Sequence, residues 1–213
     1  MLFTQFNRRQ ASIFVGAVLA ATLSTSFAQA PAAPVRIRGA IEKVEPGSIT
    51  VRDRSGEVVT LALAANTSIA EVLPMQLADI QAGSFIGSGA MPQADGTLKA
   101  IQVVVFPEAM RGTGEGHRNW DAVPQSTMTN ATVDEVVVAS GPSSGNGRTL
   151  KLKYKDGEKT LVVPPDVPVV TFKPADASLL VVGAKLTVTA IMKDGTPTAT
   201  RITAGRNGFS PPM

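Results

Sequence analysis

Chemistry-bearing residues crowd into one stretch of this chain, Glu108-Ala109-Met110-Arg111-Gly112-Thr113-Gly114-Glu115-Gly116-His117-Arg118-Asn119-Trp120-Asp121, which holds its only histidine and only tryptophan. Four readings compete for it. Glu108, Glu115, His117 and Asp121 offer one nitrogen and several oxygens, a donor set suited to a divalent metal ion; a single histidine with no second nitrogen or sulfur ligand is a poor zinc or copper signal. Gly112, Gly114 and Gly116 alternate and could turn backbone N–H groups to a phosphate beside Arg111 and Arg118, but the spacing is not that of a P-loop and no helix is expected to follow. Arg111, His117, Arg118 and Trp120 together make an aromatic, bidentate-donor patch for a protein, glycan or peptide partner. The plainest reading is a joint: the glycines turn the chain, Trp120 plugs a seam, and His117 and the arginines satisfy nearby acids and carbonyls. The residues favour this last reading and leave the others open.

Elsewhere the sequence carries little that reacts. There is no G-x-S-x-G elbow, S-x-x-K pair or H-E-x-x-H helix, so the chain is expected not to be an enzyme, with paired acids distant in sequence the one catalytic device that remains open. The absence of cysteine rules out thiolate chemistry, thiolate metal sites and disulfides. Lys151, Lys153, Lys155 and Lys159 form a basic face on one strand and turn, which usually is a solvated face that discourages edge pairing.

The start of the chain has the layout of an export signal. Arg8 and Arg9 precede an apolar or small-residue run from Ala11 to Leu23, and Ala28-Gln29-Ala30 offers a small-x-small cleavage site before Pro31. That run is short for a membrane span, which takes about 20 apolar residues, and no second one follows. The expectation is a protein cleaved after Ala30 and delivered to the periplasm or secreted, without an integral span. The paired arginines leave open whether export is by the general or the twin-arginine route. Of 20 basic residues two lie in the leader, so the remainder balances 17 acids to a net charge of +1. Such a balance supplies no field for nucleic acid.

Beyond the leader the chain reads as strands and turns. Val35, Ile37, Gly39 and Ile41 alternate with Arg36, Arg38, Ala40 and Glu42, the period of a half-buried strand. Turns at Glu45-Pro46-Gly47 and Ser55-Gly56 define a three-stranded meander ending near Leu63. After an extended piece around Ser68 to Val72, Pro74 opens Met75 to Ile80, which is compatible with one or two helical turns. Two further strands, Ser84 to Ala90 and Leu98 to Phe106, join through Asp95-Gly96. The second half repeats the order. Thr132 to Val136 answers Ala40 to Val44, and from the second strand onward the correspondences lie 99 to 101 residues apart, as in Asp194-Gly195-Thr196 for Asp95-Gly96-Thr97. Three strands, a short helix and two strands is the element order of the five-stranded OB barrel. The expected fold is therefore all-β: two tandem OB-like barrels, 35–107 and 128–205, each with a short helix between its third and fourth strands. A glycine-rich connector, 108–127, joins them, and 206–213 forms a tail.

The stretches GAIEKVEPGSITVRDRSGEVVTL, LADIQAGSFIG and FPEAMRGTGEGHR resemble exported bacterial proteins built from an uncharacterised β domain known only as a domain of unknown function. The resemblance implies a bacterial envelope or secreted β protein with no established activity. Some relatives carry automatic labels as metal-transporter components. The expected function is a non-catalytic binding or scaffolding protein meeting an unknown periplasmic protein or envelope component, with no cofactor. The alternative is a metal-handling accessory protein using a divalent ion around His117.

Overall fold

The computed structural model describes residues 33–138 and 147–212; the expected leader lies outside them. Twelve strands follow in order: β1 (Val35–Glu45), β2 (Ser48–Asp53), β3 (Val58–Pro74), β4 (Phe85–Pro92), β5 (Leu98–Val105), β6 (Gly116–Asn119), β7 (Thr127–Val138), β8 (Arg148–Tyr154), β9 (Gly157–Val163), β10 (Val169–Ala175), β11 (Lys185–Lys193) and β12 (Thr196–Ala204). There is no α-helix among the described residues. The expected short helices are three-residue 3-10 turns, Leu77–Asp79 and Ala177–Leu179. The first is short because Ile80, the residue after it, is fully buried and returns to extended backbone to reach the core.

The strands form one sheet rather than two barrels in tandem. β1, β2 and β3 close with β12 and β11 into a five-stranded barrel, β12 lying parallel to β3 and β11 antiparallel to β1. β7, β8 and β9 join β4 and β5 in a second five-stranded ring, whose return pairing of β5 on β9 is only two residue pairs long. Each ring thus takes three strands from one half of the sequence and two from the other. One core packs Ile41, Ile49, Val51 and Leu61 against Leu186, Val188 and Ile202. The other packs Ile86, Leu98 and Val103 against Val133, Leu152 and Leu161.

The strands that run between the rings are β3 and β10. β3 spans 17 residues, and Ala64-Ala65-Asn66-Thr67 leave its ladder with β12, Leu63 lying opposite Ala199 and Ser68 opposite Arg201. Its far end pairs antiparallel with β10, Val72 opposite Phe172 and Ala70 opposite Pro174. Val72 and Phe172 are repeat equivalents, so the pseudo-twofold relating the halves passes between them. Equivalent bonds cross it: Gly83 N–H donates to Val133 O at 2.8 Å, and Gly183 N–H to Ile41 O at 2.8 Å. The β-bulges obey it too, falling after Ile41 and Val133, and after Gly89 and Thr189.

Candidate functional site

The outer faces of the two rings meet across the Val72–Phe172 pair and leave a cleft of about 250 Å³. Each wall is a set of cross-strand rows. On one side, Arg36 stands opposite Thr189, which stands opposite Arg201; the next row is Arg38, Thr187 and Thr203. On the other side the equivalent rows are Met128, Gly89 and Gln102, then Asn130, Gly87 and Val104. The side chains of the residues between these rows point the other way, Val188 and Ile202 into one core and Val103 into the other.

Both glycines of the second wall are needed as such. A Cβ on Gly89 would lie 2.3 Å from Trp120 Cζ3, and one on Gly87 3.0 Å from Phe106 Cε2. Two aromatic rings therefore lie where the first wall carries threonines, and Trp120 is only 7% exposed. Trp120 arrives there through the connector. After a 3-10 turn at Glu108–Met110 the chain turns, forms β6 on the edge of β7, and folds back with Trp120 N–H donating to Ser126 O at 3.0 Å.

Charge collects on the arginine side. Arg36, Arg38, Arg118 and Arg201 all line the cleft. Asp121 pairs with Arg38 at 3.1 Å and Arg36 at 3.5 Å. Burial pushes the Asp121 carboxyl upward, but the Arg38 hydrogen bond and the charges of Arg38 and Arg36 outweigh it and hold the group below its ordinary value. Arg118 donates to Gly114 O at 2.8 Å, and its pKa is lowered by burial and then by the charge of Arg36. Four cations against one carboxylate make the cleft electropositive.

Polar atoms also stand unpaired in its walls. Gln102 Oε1, Asn130 Oδ1 and Arg38 Nε are buried with no hydrogen-bond partner. Gln102 is 3% exposed and Asn130 5%. Buried polar atoms normally find partners, because leaving one bare costs about 1–3 kcal/mol. All three residues line the cleft, with these atoms turned away from its open space.

The structure disperses the expected metal set. Glu108 binds Arg111 at 2.6 Å, Glu115 accepts from Lys155 N–H at 3.0 Å, His117 Nδ1 lies 2.8 Å from Thr129 Oγ1, and Asp121 faces the arginines. Among the described residues no three acids or histidines converge on a point. The expected partner patch divides. Arg118 and Trp120 line the cleft, whereas Arg111 ties Glu108 and Gly83 O together and His117 stacks on Tyr154 at 6.5 Å. The glycine loop turns carbonyls to its neighbours: Thr113 O accepts from Asn130 and Gly114 O from Arg118. Its Thr113 and Glu115 N–H groups are spent inside the turn.

Sequence reasoning missed Arg36, Arg38, Gln102, Asn130 and Arg201. A signal existed in the repeat: Arg38 falls where the second half has Asn130, and Arg201 where the first has Gln102. Comparison with protein-family models, curated proteins and solved structures yields no match. Among the described residues no helix is long and apolar enough to cross a membrane.

Proposed function

We propose that this chain is a non-catalytic, exported binding protein whose ligand seat is the cleft between the two rings, and that the ligand is a small organic anion. The observation that carries this is the convergence of four arginines on one cavity, three of whose lining residues, Arg38, Gln102 and Asn130, hold buried polar atoms without partners. Ligand pockets run from about 300 Å³ upward, so this cleft, at about 250 Å³, has room for a small molecule only. The rings fit the OB pattern of three strands, a short turn and two strands, with the last two supplied by the other half. The dispersal of Glu108, Glu115, His117 and Asp121 disfavours the metal-handling reading.

Arg201 is the side chain to change, because it is exposed and makes no ion pair among the described residues. A titration with small carboxylates should show saturable binding, weakened roughly tenfold by Arg201→Gln, the scale of one charge-assisted hydrogen bond. The melting temperature without ligand should hardly move, as for most surface changes. Failure of every anion to bind, or equal affinity in the variant, would remove the cleft as the seat. Export is tested separately by sequencing the N-terminus of the protein from its host, which should begin at Pro31.

A further inference from the structure

The duplication built two equivalent walls, and they have since become chemically unlike. Rows that carry Arg36, Thr189 and Arg201 on one side carry Met128, Gly89 and Gln102 on the other. Rows with Arg38, Thr187 and Thr203 face rows with Asn130, Gly87 and Val104. One wall is cationic and hydroxylated. The other carries a single cation, Arg118 of β6 opposite Met128, is floored by Trp120 and Phe106, and holds two buried amide oxygens without partners, Gln102 Oε1 and Asn130 Oδ1.

Resting on the anion-binding reading above, the geometry points to a hydroxylated carboxylate, a sugar acid, as the ligand, with Gln102 and Asn130 as its specificity-determining residues. The carboxylate faces the guanidinium groups of Arg36, Arg38 and Arg201, where planar forks match its two oxygens. Ring hydroxyls lie against the opposite side, where a turn of the Gln102 and Asn130 amides brings within reach their oxygens, which as acceptors demand an O–H or N–H. The C–H face of the sugar ring lies against the Phe106 and Trp120 side, an apolar surface for an apolar face. A peptide carboxylate would also bring N–H donors, but peptides dock by adding to an open strand edge. β5 and β7, which carry Gln102 and Asn130, are bonded to neighbours on both sides, and the strand edges left open beside the cleft are those of β6 and of β1 at Val35 to Ile37. The donors that reach Gln102 and Asn130 must then come from side groups, which describes hydroxyls.

Calorimetric titration of the full chain with three ring-sized probes separates the contributions. D-Glucuronate carries acid and hydroxyls, cyclohexanecarboxylate the acid alone, and D-glucose the hydroxyls alone. Glucuronate should bind at least roughly tenfold more tightly than either, because a site built for a hydroxyl rejects the analogue that leaves its acceptor unpaired. Gln102→Met, which keeps the volume and removes the acceptor, should bring glucuronate and cyclohexanecarboxylate towards parity. Should that variant fail to fold, the probe comparison in the unaltered protein still decides. Tri-galacturonate in place of the monomer distinguishes sources: tighter binding assigns a polymer end and equal binding a free acid, and both support the proposal. Equal affinity for glucuronate and cyclohexanecarboxylate overturns it while leaving the anion seat standing. Tighter binding of an acetylated dipeptide than of glucuronate overturns it in favour of a peptide, and no binding of any acid overturns the anion seat as well.

Discussion

Arg38 is the most enclosed cation of the cleft, its side chain 14% exposed, and Asp121 is the carboxylate that neutralises it. An incoming anion competes with Asp121 for the same guanidinium groups. Asp121→Asn should therefore raise affinity for small carboxylates several-fold in a titration, while the loss of a half-exposed pair changes folding stability by no more than about 1 kcal/mol. The opposite wall depends on Gly89. Gly89→Ala forces the Trp120 ring outward, so a loss of about 1–3 kcal/mol is expected from overpacking. Trp120 is the sole tryptophan, and its fluorescence should shift to the red as the ring gains solvent. An unshifted spectrum would contradict the contact. His117 gives a pH signature of its own. Burial, and then the charge of Lys159, lower its pKa from the ordinary 6.5. The unfolded chain then takes up the proton first, so stability is complete above about pH 6.5 and falls as pH drops towards the depressed folded value. His117→Gln should flatten that part of the stability profile in chemical denaturation at stepped pH.

Among the elements, β3 and β10 carry the molecule across its pseudo-twofold and β6 only edges it. β10 is bonded on both sides, to β3 and to β5, whereas the four residues of β6 pair with β7 alone. Hydrogen exchange should find the β10 amides among the slowest and those of β6 markedly faster; β6 protection equal to that of β10 would be contrary. Much of this layer was legible in the sequence. Alternation placed Val35, Ile37, Gly39 and Ile41 on one inward face; Ile41 is buried and Ile37 and Gly39 half-buried, whereas Val35, at the start of the strand, is 58% exposed. Asp95-Gly96 and Asp194-Gly195 do close hairpins between β4 and β5 and between β11 and β12. Alternation says which side chains face a core, however, and not whose core. Leu186 and Ile202 read the same whether their hairpin packs on its own half or on the other.

The site was less legible for the same reason. Its members come from β1, β5, β7, β12 and the connector, and they meet only because the halves exchange hairpins. Arg36 and Arg38 read as the solvent side of a strand, as they do within their own ring, and become a wall only when the second ring stands opposite. Trp120 and Arg118 stood out by rarity and by place, and both line the cleft; Arg111 and His117 stood out equally and do not.

At the scale of the whole molecule, exchange makes the two rings interdependent. Losing strands 1–3 of either half opens one barrel, and losing the hairpin of that half opens the other, so neither core can melt while its partner stays closed. Two-state unfolding is the consequence. The direct measurement is scanning calorimetry of the protein with Leu152→Ala in one core and, separately, Ile202→Ala in the other. Each truncation should cost about 2–5 kcal/mol and move the entire transition down as a single peak, with calorimetric and van't Hoff enthalpies equal. A trace that splits into two peaks, only one of which responds to each substitution, would contradict the interlocked architecture.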